Sequence, residues 1–163
     1  MKRLLTVIPT LLIAVALGFA VRTWGFSAVR IAGSSMADTL ISGDIVLVTR
    51  FERAPRRGSV MECTFTGRDS SYVKRVIGLP GDTVEFSDGA LFINDRPLSE
   101  PYVSSETEDM SILLGQDEYF VLGDNRAESY DSRAEDMGCI RRDQFLGRAR
   151  WILWPLDRFG PVN

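Results

Sequence analysis

Short apolar segments separated by turn-forming residues dominate the chain after residue 25. In order, they read DIVLVTRF, SVMECTF, SYVKRVIG, DTVEFS, ALFIND, EYFVLGD and ARWILW. None has the length and the 3.6-residue period of a soluble amphipathic helix, whereas short segments between turn signals are typical of strands. Asp88-Gly89 indicates a type I′ hairpin, because both central positions of that turn need a positive φ, and Asn94-Asp95 indicates a second tight turn. The pattern predicts an all-β, mostly antiparallel domain.

The stretch from Ser99 to Gln116 interrupts this series. It is polar, acidic and poor in turn-forming residues. Loops of this length are uncommon in a compact domain and lie on the surface. We therefore expect a long surface excursion that is mobile rather than catalytic.

An uncharged apolar run from Leu4 to Val21 precedes the predicted β domain. Its length is just sufficient for a transmembrane helix. The charges of Lys2 and Arg3 before the run place the N-terminus in the cytoplasm by the positive-inside rule. A cleavable signal peptide is the alternative, because Gly18 and Ala20 are small residues at the spacing that cleavage requires.

Composition narrows the chemistry that the chain can perform. It contains no histidine, which excludes Ser-His-Asp and Cys-His catalysis. Its two cysteines, Cys63 and Cys139, are too few for a zinc cluster, and they are either one disulfide or two free, buried thiols. A net charge of -3 with interleaved signs offers no basic stripe for nucleic acid. A hydrolase built from this chain must use a base other than histidine.

The stretch AGSSMADTL carries the first candidate site. Gly33 permits a tight backbone at a strand end, and a serine after such a turn can point its hydroxyl and its amide N–H into the same space. An acyl-transfer nucleophile needs this arrangement, although Gly-Ser-Ser is also ordinary loop material.

The stretch SSYVKRVIGLPGD carries the second candidate site. By strand alternation, Lys74 shares a face with Tyr72 and Val76. A lysine on a core-facing side is costly unless it is paired or neutral. The alternative is an edge strand on which Lys74 faces water.

The stretch VLGDNRAESYDSR follows an apolar strand and is dense in hydrogen-bonding side chains. Asp131 and Arg133, like Asp124 and Arg126, are suited to an ion-paired scaffold beneath an active site. A solvated loop is the alternative.

In this order, the three stretches resemble motifs of the bacterial type I signal peptidases, membrane-bound leader peptidases of the serine-lysine class. GSSMADTLISGD resembles the nucleophile box of that family, YVKRVIGLPGD its lysine box and GDNRAESYDSR its third box, and FLGRARWILWPLDRFG resembles its closing strand. The chain departs from the family at Asp38, where proline is usual, and at Gly33, where some members place a serine that helps to bind the oxyanion.

The resemblance implies a serine endopeptidase that removes N-terminal signal peptides from secretory preproteins. Ser35 would be the nucleophile and Lys74 the general base, with the Ser35 amide and Gly33 at the oxyanion position. A lysine of pKa near 10.4 is neutral only about one time in a thousand at a pH of about 7.4, so burial must lower the pKa of Lys74. No metal or organic cofactor is expected. The expected supporting residues are Ser129, Asp131 and Arg133, and the expected substrate-binding residues are Val29, Ile31, Ala32, Met36, Leu40, Tyr72 and Val73.

The resemblance also favours the anchor interpretation of the apolar run. Residues 1–24 would be a cytoplasmic N-terminus and transmembrane anchor, and residues 25–163 an extracytoplasmic catalytic domain in contact with membrane lipid. The enzyme would be a monomer, and its substrate would add as a strand beside residues 29–32 and 70–73. The alternatives are a maturation peptidase of the same fold for pilins or a conjugation system, and a non-catalytic membrane-tethered β module.

Overall fold

Eleven short strands dominate the computed structural model. It describes residues 11–13, 15, 18, 25–52, 54–103, 105 and 107–163. The strands are β1 (Phe26–Arg30), β2 (Ile45–Thr49), β3 (Val60–Thr64), β4 (Ser71–Gly78), β5 (Thr83–Ser87), β6 (Ala90–Ile93), β7 (Arg96–Pro97), β8 (Met110–Leu113), β9 (Phe120–Leu122), β10 (Phe145–Trp154) and β11 (Gly160–Pro161). Two 3-10 helices, Arg142–Gln144 and Leu156–Arg158, flank β10. The prediction of a mostly β fold is confirmed.

The anchor predicted over Leu4–Val21 lies largely outside the described residues. Those of its residues that are described, 11–13, 15 and 18, are helical. Among the described residues, no helix is both long enough and apolar enough to cross a bilayer.

The strands form two antiparallel sheets. The larger sheet has the order β1-β2-β10-β3-β4-β9, and β11 also pairs with β10. The smaller sheet has the order β7-β6-β5-β8. The ten-residue strand β10 is central because it pairs with β2, β3 and β11, and register shifts along it bend the larger sheet.

Both predicted tight turns are present. Asp88 and Gly89 have φ values of 51° and 75°, and they join β5 to β6. Asn94 and Asp95 have φ values of 52° and 62°, and they join β6 to β7. Positive φ at both central positions is the geometry that matches the twist of paired strands.

The stretch from Ser99 to Gln116, expected as a long surface excursion, contains a strand. Met110–Leu113 form β8, which pairs with β5 from Phe86↔Met110 to Thr83↔Leu113. Earlier in the segment, Glu100 forms an ion pair with Arg126. The segment is therefore tied to the sheet at one end and to the polar stretch after β9 at the other.

Both cysteines are free thiols, not a disulfide. Cys63 is fully buried among Met61, Phe145 and other apolar side chains. This burial raises the pKa of Cys63 to about 12, so its thiol stays protonated and unreactive at neutral pH. Cys139 is half-buried against the core of the smaller sheet.

Candidate active site

The loop between β1 and β2 holds Ser35 at the surface of the larger sheet. Met36 and Leu40, just after it, are 2% and 0% exposed and pack into a core cluster with Ile31 and Val46. Hydrogen bonds from the amides of Thr39 and Leu40 to the Met36 carbonyl close a turn here. The apolar side chains therefore fix the loop, and Ser35 stays half-buried at its edge.

Lys74 is a buried residue of the larger sheet. At Lys74 the strand β4 pairs with β3 alone, because β9 joins β4 only from Arg75 onward. The alternative in which Lys74 faces water is nevertheless wrong, because the side chain is buried. The residue is only 2% exposed, and its Nζ donates a hydrogen bond to Ser129 Oγ at 2.9 Å. Burial lowers the pKa of Lys74, and the negative charge of Asp131 opposes this only in part. The neutral amine is thus favoured relative to a free lysine.

Gly123 is the point at which the three motif stretches meet. Its amide donates to Ser129 Oγ at 3.1 Å and to Asp131 Oδ2 at 3.0 Å. The Ser35 carbonyl oxygen and Ser129 Oγ both lie less than 3.0 Å from the position that a Cβ on Gly123 would occupy. These two groups are therefore close neighbours, and Ser129 connects them to Lys74. A glycine is needed here because a side chain would occupy the same space.

Asp131 and Arg133 form a bidentate ion pair, with Nε–Oδ1 and Nη2–Oδ2 distances of 2.8 and 3.0 Å. Arg133 Nη2 also donates to the carbonyl oxygens of Arg126 and Ser129. The Asp131 side chain is fully buried. The pair thus fixes the backbone around Ser129, because a rigid bidentate contact leaves little freedom to the loop that it spans.

Asp124 and Arg126 are also ion-paired, but not with each other. Arg75 donates to Asp124 through Nε at 2.9 Å and Nη2 at 2.7 Å, and it stacks on Tyr102 with its guanidinium 3.9 Å from the ring centroid. Arg126 donates to Glu100 at 2.6 Å. Sequence reasoning missed these partners. A signal was present, however, because Lys74-Arg75 are consecutive cations in a buried strand, and the second requires a carboxylate nearby.

A cleft of about 200 Å³ opens beside Ser35. One wall is the end of β1 and the residues after it, and the other wall is the start of β4. Its lining residues are Val29, Arg30, Ile31, Ala32, Ser35, Met36, Ser71, Tyr72 and Val73. Six of the seven predicted substrate-binding residues thus lie together, while Leu40 does not line the cleft because its side chain is fully buried in the core.

Both walls of the cleft carry strand edges without a neighbour among the described residues. β1 pairs only with β2. β9 pairs with β4 only from Arg75 onward, so the segment Ser71–Lys74 has β3 on one side alone. Open edges of this kind accept an extended peptide by strand addition.

The amide N–H of Ser35 is a candidate hydrogen-bond donor for the oxyanion. Gly33 has a φ of +92°, which favours glycine. Within the part of the chain that the structure describes, the Ser35 amide N–H donates to no protein acceptor. An N–H group held at the surface without a partner can stabilise a developing oxyanion.

Asp38 adopts a φ of +82°. Proline is locked near −65° and cannot take this conformation. The backbone of the turn after Met36 therefore has a conformation that a proline at position 38 could not adopt.

Across the described ranges, no three acidic or cysteine side chains converge closely enough to hold a metal ion. The site instead combines a surface serine, a buried lysine with a lowered pKa, an unpartnered amide and an open-edged cleft. These are the parts that nucleophilic acyl transfer needs.

Comparison with known proteins shows the family to which the chain belongs. The family model described as "Signal peptidase, peptidase S26" matches residues 4–154. The chain is 34% identical to a signal peptidase I P of Bacillus subtilis subsp. natto, over 93% of this chain and 89% of that protein. It is 35% identical to a probable signal peptidase I-2 of Synechocystis sp., over 93% and 73%. A crystal structure of a signal peptidase I from Enterococcus faecalis is 34% identical and superposes with a TM-score of 0.52, covering 58% of this chain and 95% of that one.

Proposed function

Because this chain belongs to the signal peptidase family, peptidase S26, we propose that Ser35 and Lys74 are its catalytic dyad. Members of the family are serine endopeptidases that remove signal peptides from preproteins, and this is the function of the chain. The observation that carries the assignment of the dyad is the burial of Lys74. An uncompensated buried ammonium is costly, and a lysine whose neutral form is favoured by burial is a usable general base.

In the proposed reaction, Ser35 Oγ attacks the carbonyl carbon before the scissile bond while its proton passes to Lys74 Nζ. The tetrahedral intermediate collapses, the C–N bond breaks, and the Lys74 ammonium returns the proton to the leaving amine. Lys74 then accepts a proton from the water that attacks the acyl-enzyme, the ester C–O bond breaks, and Lys74 returns this proton to Ser35 Oγ. Ser129 orients the amine through its 2.9 Å hydrogen bond. The unpartnered Ser35 amide, with Gly33 before it, would receive the oxyanion.

The substrate segment before the scissile bond would lie in the cleft as an added strand. The open edges of β1 and of Ser71–Lys74 supply the backbone groups for this pairing. The small volume of about 200 Å³ would admit short side chains and exclude long ones.

We further propose a membrane-bound location with the N-terminus in the cytoplasm. Signal peptidase I enzymes are membrane-associated, and the run Leu4–Val21 after Lys2-Arg3 is the candidate anchor. Exposed aromatic residues support contact with lipid: Trp151 stacks near Phe159 with ring centroids 5.4 Å apart, and Trp154 is 53% exposed. Tryptophan side chains are enriched where protein meets the membrane interface.

The direct test uses the full-length protein in detergent and a preprotein with a small-x-small cleavage site. N-terminal sequencing of the product should give one cut after that site. Ser35→Ala should abolish the cut without lowering the melting temperature, whereas Ser34→Ala should still cleave. Loss of cleavage in Ser34→Ala with activity in Ser35→Ala would show that the nucleophile is misassigned.

A further inference from the structure

A hydrogen bond crosses from the nucleophile loop to the stretch after β9. Ser34 Oγ donates to Glu128 Oε2 at 3.0 Å. Beside it, Asn125 Nδ2 donates to the Ser34 carbonyl oxygen and the Asn125 amide donates to the Ser35 carbonyl oxygen, both at 3.2 Å. Glu128 is thereby held within reach of Ser35, next to the residue that precedes it.

Glu128 carries a charged carboxylate at the protein surface. Both Ser34 and Glu128 are solvent-exposed. Within the described part of the chain, the Glu128 carboxylate forms no ion pair, and its side-chain bond is to the neutral hydroxyl of Ser34. Arg126 and Arg133 nearby are paired with Glu100 and Asp131. The carboxylate is therefore free to attract a cation from solution or from a substrate.

The position of Glu128 relative to the cleft indicates which part of a substrate it meets. The cleft takes in Ser35 and runs between the end of β1 and the start of β4, but Ser34 and Glu128 do not line it. If the residues before the scissile bond fill the cleft and the carbonyl carbon reaches Ser35, the chain after the bond must leave outside the cleft. Ser34, which directly precedes Ser35, lies outside the cleft, and its hydroxyl is hydrogen-bonded to Glu128.

We propose that Glu128 is a specificity-determining residue for the segment that follows the scissile bond, and that it favours preproteins with a basic residue there over those with an acidic one. The proposal rests on the proposed function, because it takes Ser35 as the cleavage point. Ser34 positions the carboxylate of Glu128 by its hydrogen bond. The negative charge of Glu128 discriminates between basic and acidic substrate residues. A basic side chain is attracted to an exposed carboxylate, while an acidic one is repelled.

The test uses the full-length protein in detergent and three forms of one preprotein that differ only in the residue after the cleavage site: lysine, serine or aspartate. We expect kcat/KM for the lysine form to exceed that for the aspartate form by about fivefold at low salt, as one exposed charge pair allows. Raising ionic strength to about 1 M should shrink the ratio, because the Debye length falls to about 3 Å. Glu128→Gln should bring the ratio close to one, and Glu128→Lys should invert it.

Two further variants separate charge from positioning. Glu135→Gln removes another exposed carboxylate from the same part of the chain and should keep the parental ratio. Ser34→Ala removes the hydrogen bond but keeps the charge, so most of the preference should persist. Equal rates for the three preproteins in the parent, or a preference that survives Glu128→Gln, would overturn the proposal while leaving the dyad intact. Cleavage that persists in Ser35→Ala would instead contradict the dyad itself.

Discussion

Replacement of Gly123 by alanine should separate the catalytic groups while leaving the fold in place. The φ of Gly123 is outside the left-handed region, so the effect is steric and not conformational. The new Cβ would stand 2.6 Å from Ser129 Cβ and closer still to Ser129 Oγ and the Ser35 carbonyl oxygen, whereas ordinary contact begins at 3.4 Å. These groups must therefore separate by roughly an ångström, and a misplacement of that size can cost about 100-fold in rate.

Overpacking should also destabilise the variant by about 1–3 kcal/mol, so a matched control is needed. Gly147→Ala supplies it: its Cβ would lie 2.7 Å from the Thr49 carbonyl oxygen and from Val48 Cγ1 in β2, a strand that does not line the cleft. Urea unfolding gives the stability of both variants, and kcat/KM for a preprotein is measured where both are folded. We expect similar losses of stability but a large loss of rate in Gly123→Ala alone. Parental kcat/KM in Gly123→Ala, or an equal loss in Gly147→Ala, would refute the reasoning.

Three other outcomes are expected. Asp131→Asn should lower stability by about 2 kcal/mol and reduce turnover with it, because Arg133 loses its buried partner; an unchanged melting temperature with undiminished turnover would contradict the scaffold role. Asp38→Pro should destabilise the protein by more than about 1 kcal/mol while Asp38→Gly costs much less, because glycine adopts a φ of +82° readily and proline cannot adopt it; equal stability of the two variants would contradict this. Protease added to intact spheroplasts should digest residues 25–163, and a domain that survives until the membrane is broken would overturn the proposed topology.

Local sequence patterns predicted most of the strands because each short apolar segment is bounded by residues with strong turn preferences. Asp88-Gly89 specifies its hairpin through two positive φ values, which needs no knowledge of the rest of the chain. Strand β8 was not predicted, because Met110–Leu113 is brief and follows an acidic stretch. The strand forms because it pairs with β5, and its own sequence does not predict this pairing.

The site was predictable where the motifs were contiguous and not where partners came from distant segments. Ser35, Lys74 and Ser129 each lie in a recognisable stretch. The structure places the Ser35 carbonyl oxygen and Ser129 Oγ beside Gly123, with Lys74 hydrogen-bonded to Ser129. The ion pair of Arg126 with Glu100 depends on how the segment after Ser99 folds back onto the rest of the domain. The local sequence pattern around either residue does not predict this contact. Leu40 lies in the nucleophile box and is therefore predicted to bind substrate, but its apolar side chain is buried in the core instead.

The pH dependence of kcat/KM tests the role of Lys74 most directly. Because burial lowers the pKa of Lys74 and only the neutral amine can accept a proton, the rate should rise with pH and level off above that lowered pKa. The midpoint of the rise should lie clearly below the ordinary lysine value of about 10.4. Lys74→Ala and Lys74→Arg should both lose nearly all turnover while remaining folded, because alanine has no base and the guanidinium stays protonated. A rate that does not change with pH, a midpoint at the ordinary lysine value, or substantial activity in Lys74→Arg would contradict the assignment of Lys74 as the general base.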